Sequence, residues 1–318
     1  MTKLEELIYE LCPDGVEYVK IKDYFIRLKG TPITAAKMKE IASNDGEIKV
    51  FAGGKTVINA YEKDIPKANI TRVPAVLVQS RGVIDVVYYD NPFTFKNEMW
   101  AYTHNEQTTV KYLYYFLSTQ VNKMRESASG MGSLPQISLK VTEEMQIPLP
   151  PLSIQSEIVH ILDSFTLLTA ELTAELTASQ KQYAFYRDYL LDFSNEDVTK
   201  KIPDIDCSNV EYKRLGNIAI IERGKRVVRN DLSQETGYPV YQNALKPLGY
   251  YTDKNRNANS VFIIGAGAAG EIGYSYVDYW AADDCFTFVC DDKLNQRYLY
   301  FLLMSKQAYL KNNVRKSS

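Results

Sequence analysis

The chain has 318 residues, 45% of them hydrophobic and 24% charged; that is enough apolar material for two ordinary domains and excludes wholesale disorder. Its 37 basic and 39 acidic residues leave a net charge of −2, so the globally basic signature of many nucleic-acid binders is absent and such contacts have to come from local patches. Four cysteines without a C-x-x-C pair, two histidines and no apolar run of membrane-span length argue against a zinc site and a membrane span.

The chain opens Met-Thr-Lys-Leu-Glu-Glu, with no apolar signal core, and a cytoplasmic protein with free thiols is expected. Further along, segments of the first half recur in the second at a period of roughly 190 residues, too long for a solenoid and right for two copies of one globular domain. Cys12-Pro13-Asp14-Gly15-Val16-Glu17-Tyr18 is echoed by Cys207-Ser208-Asn209-Val210-Glu211-Tyr212, and Ile26-Arg27-Leu28-Lys29-Gly30 by Ile221-Glu222-Arg223-Gly224-Lys225. Val50-Phe51-Ala52-Gly53-Gly54-Lys55 stands opposite Val240 to Lys246. Lys111-Tyr112-Leu113-Tyr114-Tyr115-Phe116-Leu117 stands opposite Arg297-Tyr298-Leu299-Tyr300-Phe301-Leu302-Leu303. The 24 tyrosines suit a binding surface and equally suit two cores.

The first copy runs on through Gly130-Met131-Gly132-Ser133-Leu134-Pro135-Gln136 to Ile147-Pro148-Leu149-Pro150-Pro151-Leu152. A helix is then expected from Ser153, as N-cap, to about Phe193, since no Gly or Pro intervenes. Ile158, Ile161, Phe165, Leu168, Leu172, Leu176, Tyr183, Tyr186 and Leu190 recur at steps of three and four and form one apolar stripe, which wants a partner helix. The alternative is a helix lying across its own domain. Within the helix, Thr169-Ala170-Glu171-Leu172 is repeated as Thr173-Ala174-Glu175-Leu176. Each four-residue unit adds roughly 6 Å and about 40° of rotation, which suits an adjustable ruler, although gene slippage without consequence gives the same pattern. The second copy ends at Lys316-Ser317-Ser318, opposite about Gly132, so it is expected to be cut short before a helix of its own.

Two patterns suggest catalysis and are set aside. Gly265-Ala266-Gly267-Ala268-Ala269-Gly270 fits a dinucleotide fingerprint, but the following Glu271-Ile272-Gly273-Tyr274-Ser275-Tyr276 alternates as a strand does, where a helix is required. Asp14, Glu47 and Lys49 only loosely imitate a metal-dependent nuclease, and Ser208-Asn209 replaces Pro13-Asp14 in the second copy.

The ordered set of motifs resembles the specificity subunits of bacterial type I restriction–modification enzymes. The carriers are Lys3-Leu4-Glu5-Glu6-Leu7, the Cys12–Tyr18 segment, Ser133-Leu134-Pro135-Gln136-Ile137, Ile147-Pro148-Leu149-Pro150-Pro151, Gln155-Ser156-Glu157-Ile158 and the Thr-Ala-Glu-Leu units. The resemblance implies an α+β protein with two related α/β target recognition domains, 1–150 and 205–318, joined by one long coiled-coil-type helix, 151–193, and a linker, 194–204. It implies a non-catalytic subunit in which each domain reads half of a split double-stranded DNA site while the helix sets the spacing. Two modification subunits holding S-adenosylmethionine, and two motor-nuclease subunits using ATP and magnesium, would be its partners, with no cofactor on this chain. Because the second helix is lacking, a homodimer through the long helix is a further expectation. The rivals are a cofactor-binding enzyme built on Gly265–Gly270 and a helix-mediated assembly protein that binds no DNA.

Base reading needs side chains at base edges and cations at phosphates. Three loops per domain qualify as candidates. The first supplies Arg27, Lys29 and Lys37, against Arg223, Lys225, Arg226 and Arg229. The second supplies Gly53, Gly54 and Lys55, against Gln242, Asn243 and Lys246. The third supplies Gln79 and Arg81, against the 265–273 stretch. The competing reading for any one cation is an ordinary solvated face.

Overall fold

The computed structural model describes residues 2–129, 134–193, 210–291 and 293–314. The expected linker at 194–204, the Cys207-Ser208-Asn209 echo, the Gly130–Ser133 part of one motif and the terminal Lys316-Ser317-Ser318 lie outside the described residues. Two compact units are present, Met1–Leu172 and Thr173–Ser318, and the division between them falls within the long helix.

The first unit opens with helix α1 (Lys3–Leu11), closed by a capping box in which Thr2 accepts from the Glu5 amide and Glu5 accepts from the Thr2 amide. Then follow β1 (Tyr18–Lys20), α2 (Ile21–Tyr24), β2 (Ile26–Leu28), α3 (Ala35–Ile41), β3 (Ile48–Phe51), β4 (Val57–Ala60), β5 (Ala75–Gln79), β6 (Asp85–Tyr89), β7 (Phe93–Phe95), β8 (Trp100–Thr103), α4 (Gln107–Glu126), α5 (Lys140–Glu143), β9 (Gln146–Pro148) and α6 (Leu152–Leu190). A four-stranded antiparallel sheet has the order β2-β8-β5-β6. A three-stranded sheet has the order β4-β3-β7, in which β3 and β7 run parallel.

Strand β5, Ala-Val-Leu-Val-Gln, is buried along its whole length because both of its faces are used. Val76 and Val78 pack with Val110, Leu113 and Leu117 of α4. Ala75 and Leu77 point the other way, to Phe51, Phe93 and Phe95 of the small sheet. The two-residue period of a strand thus assigns alternate side chains to two cores.

The second unit contains β10 (Ala219–Arg223), β11 (Tyr238–Tyr241), β12 (Tyr250–Tyr251), β13 (Ser260–Ile264), β14 (Ile272–Ser275), β15 (Trp280–Ala281), β16 (Cys285–Cys290), α7 (Gln296–Ser305) and α8 (Gln307–Asn312). Its sheets have the orders β10-β16-β13-β14 and β12-β11-β15, and β11 and β15 are parallel. Strand for strand these two sheets repeat those of the first unit, whose short antiparallel β1–β9 pair has no counterpart among the described residues. The split of side chains recurs: Val261 joins Leu299 and Leu303 of α7, while Phe262 and Ile264 face Tyr279 and Cys285. The repeat is therefore a repeated domain, as expected.

Helix α6 is continuous for 39 residues, about 58 Å at 1.5 Å per residue. It starts one residue before the expected Ser153 cap. The carbonyl of Pro151 accepts from the Ile154 and Gln155 amides, so Pro151 ends the preceding extended segment and Ser153 lies within the first turn. Regular helix stops at Leu190, short of Phe193. The first turns are anchored to their own unit. Ile154, Gln155 and Val159 are buried, and Asp163 meets Lys111 at 2.7 Å and the Tyr115 hydroxyl at 2.6 Å. Ile158 packs partly against this same core, so this member of the expected stripe already has a partner in its own domain. Every residue from 164 to 183 is exposed. Phe165 (63%) and Leu176 (59%) show how open the stripe is among the described residues. Threonines in this stretch return their hydroxyls to the backbone one turn earlier, as Thr177 does to Thr173 at 2.8 Å, which satisfies them without bending the chain to a neighbour.

Candidate nucleic-acid interface

In the first unit the three predicted loops converge. The β3–β4 hairpin turns at Gly54 and Lys55, which both take positive φ (70° and 66°), so that the Ala52 amide reaches the Thr56 carbonyl at 2.8 Å. The Gly54 amide also donates to the Arg81 carbonyl at 3.1 Å and so joins the second loop to the third. A cleft of about 370 Å³ lies there, lined by Lys39, Gly53, Gly54, Arg81, Lys96 and Glu98 among others. A second cleft, of about 700 Å³, is lined by Arg27, Lys29, Gly30, Asn69, Asn97 and Glu98 among others. Glu98 belongs to both.

The second unit repeats the convergence with different side chains. The Ala268 amide donates to the Asn243 carbonyl at 2.9 Å, which joins the second and third loops. Gln242 donates to the Asp283 carboxylate at 3.2 Å, and the Arg223 guanidinium reaches the Asp283 carbonyl. The register of the first loop is fixed by close packing. A Cβ on Gly30 would strike the Phe95 carbonyl, and one on Gly224 the Ala281 and Ala282 carbonyls. Gly30 therefore corresponds to Gly224, one residue away from the pairing suggested by sequence, and Arg223 corresponds to Lys29.

The candidate cations divide into tethered and free. Arg27 pairs with Glu143 at 3.1 Å, Lys37 with Glu40 at 2.7 Å, Lys55 with Asp85 at 3.8 Å and Arg223 with Asp284 at 3.6 Å. These pairs lie at or near the surface and contribute little to stability. Lys29, Arg81, Lys225, Arg226, Arg229 and Lys246 are exposed and have no ion pair among the described residues. Next to Glu143, the partner of Arg27, Lys20 and Lys22 both hold Glu144 (2.7 and 2.6 Å) and lower its carboxyl to about 2.

Gln79 is not at this surface. It is 3% exposed at the end of β5, and its Oε1 has no hydrogen-bond partner among the described residues. Its counterpart is Ile264, also fully buried, so the position belongs to the core and the amide cannot reach a base while the strand holds. Sequence reasoning missed Lys39, Asn69, Asn97 and Glu98. For Glu98 a signal existed: an acid precedes the last sheet strand in both copies, as Glu98 before Trp100 and as Asp283-Asp284 before Cys285.

The glycine-rich 265–271 stretch is a turn between the antiparallel strands β13 and β14, with no helix N-terminus to receive a pyrophosphate. Among the described residues no group of His, Cys, Asp or Glu is placed to hold a metal, and no helix is long and apolar enough to cross a membrane.

Against known proteins, the pattern of the type I restriction modification DNA specificity domain matches residues 13–179 and 207–318. A protein of Mycoplasma pneumoniae named as a type I specificity subunit, S.MpnORF507P, is 28% identical over 307 residues, or 91% of this chain and 78% of its own. The specificity subunit of the Escherichia coli type I restriction enzyme EcoR124I/EcoR124II is 35% identical over 179 residues, or 54% of this chain and 41% of its own. In three dimensions, the S subunit of a type I restriction–modification system from M. genitalium superposes with a TM-score of 0.68 at 19% identity, covering 94% of this chain and 79% of that one.

Proposed function

The chain belongs to the type I restriction modification DNA specificity family, and from that premise we propose that it recognises a split DNA site, each module reading one half of it. The observation that carries this reading is a pair of modules with the same strand order and pairing but different side chains on the converging loops. A shared scaffold with divergent loops is what reading two unlike half-sites requires. The work is binding: no bond is made or broken by this chain.

The long helix lies between the modules in the chain and serves as spacer and as the docking rod for modification subunits. Its exposed apolar stripe supports that role, and a helix from a second copy of this chain is one partner that would cover it. Two modification subunits supply the S-adenosylmethionine chemistry, and two motor-nuclease subunits supply the ATP- and magnesium-dependent work. This chain carries none of those cofactors itself. The setting is the cytoplasm.

Binding of duplex DNA by the chain assembled with its modification partner tests the reading. Changing Arg226 and Arg229 together to Ala is expected to lower affinity about equally for all sequences and to reduce the log–log salt slope by roughly 1 to 2 units, since each phosphate contact contributes roughly 0.9. Unchanged affinity and slope, with the assembly intact, would remove this loop from the interface.

A further inference from the structure

Among the described residues lining the two clefts of the first module, Glu98 is the only carboxylate. The others include Arg27, Lys29, Lys39, Arg81 and Lys96. A negative charge there opposes the approach of phosphate and so needs another explanation. Its bond to Lys96, at 2.9 Å between partly exposed side chains, contributes little to folding. Nor does the carboxylate hold the turn. The Met99 amide donates to the Lys96 carbonyl at 2.9 Å, the Lys96 amide to the Phe51 carbonyl at 3.0 Å, and the buried Ser80 hydroxyl to the Glu98 carbonyl at 2.5 Å.

The second module builds the same turn. The Cys285 amide donates to the Ala282 carbonyl at 2.9 Å, the Ala282 amide to the Tyr241 carbonyl at 2.9 Å, and the Gly265 amide to the Asp284 carbonyl at 2.7 Å. Asp284 thus stands where Glu98 stands, with Arg223 beside it at 3.6 Å. In each of these bonds a backbone carbonyl is the acceptor, so the scaffold leaves the side chains of Glu98 and Asp284 free to vary. Both modules nevertheless place an acid there, on a rigid turn, among cations.

A carboxylate accepts but cannot donate, and in the major groove its matching partner is the exocyclic amino group of cytosine. We propose that Glu98 and Asp284 are specificity-determining residues, one per module, each accepting a hydrogen bond from a cytosine amino group in its half-site. The inference rests on the DNA-reading function proposed above. The surrounding cations attract the backbone, and the acid penalises every base edge that offers only acceptors.

The test is selection from a randomised duplex library by the chain assembled with its modification partner, comparing wild type, E98Q and D284N. For a selective wild type, E98Q should weaken the preference for C·G at one position of one half-site roughly tenfold. Affinity for random duplex should hold or rise, because a negative charge has gone. D284N should do the same at one position of the other half-site. Base preferences unchanged in both variants, or a uniform loss at every position, would overturn the proposal while leaving the DNA-reading function standing. A wild type that selects no sequence would remove both.

Discussion

Burial pushes the Cys285 thiol up to about 12, from an ordinary value of 9. The side chain is fully buried at the start of β16, among Tyr279, Ala281 and Phe262. A thiol held neutral is a poor nucleophile, so the folded protein at pH 8 is expected to leave Cys285 unmodified by a thiol-reactive disulfide reagent, and unfolding to expose it. Because the folded value is raised, its contribution to stability is complete below pH 9 and declines as pH rises towards 12. Rapid modification of Cys285 in the native protein would contradict this placement. At the same scale, the exposure of Lys225, Arg226 and Arg229 was legible, because a dense basic run needs few tertiary assumptions to be placed at the surface, whereas Arg223 ends β10 and meets Asp284. Gln79 was misplaced for the opposite reason. An amide next to Ser80-Arg81-Gly82 reads as loop, and only the pairing of Gln79 with Asp85 shows that the strand has not yet ended.

Helix α6 carries the next prediction. Deleting Thr173-Ala174-Glu175-Leu176 removes one turn-like unit from a stretch in which every residue is exposed, so no core is lost. The four-residue deletion shortens the rod by roughly 6 Å and turns it by about 40°. Half-site preferences are expected to survive and the preferred gap between them to contract. Selection of duplexes with graded spacers measures this, and an unchanged gap would detach the helix from spacing. The helix was readable from its 3.6-residue period and its freedom from Gly and Pro. Its anchoring was less readable, because Asp163 meets Lys111 and Tyr115 only after 40 or more residues of intervening fold bring α4 alongside. The sheets show the same limit. Alternation along Val76, Leu77 and Val78 announces a strand, but a parallel neighbour such as β7 beside β3 is set by tertiary closure and leaves no local mark.

For the whole molecule, the central claim is that two modules of one topology read two unlike half-sites. Gly30 and Gly224 belong to the shared scaffold, each pressed on a carbonyl at the same corner, and Glu98 and Asp284 share one position on it, whereas Arg81 and Arg226 lie where the copies differ. Duplication was visible in the sequence through four ordered echoes. The one-residue shift at the first loop emerges only from the packing of those glycines. The most direct measurement is a map of methylated bases in DNA from cells carrying this gene with its modification partner. Methylation is expected within a split, asymmetric site, two defined half-sequences separated by a fixed run of unspecified bases. Methylation in a single continuous motif, or without sequence preference, would contradict it.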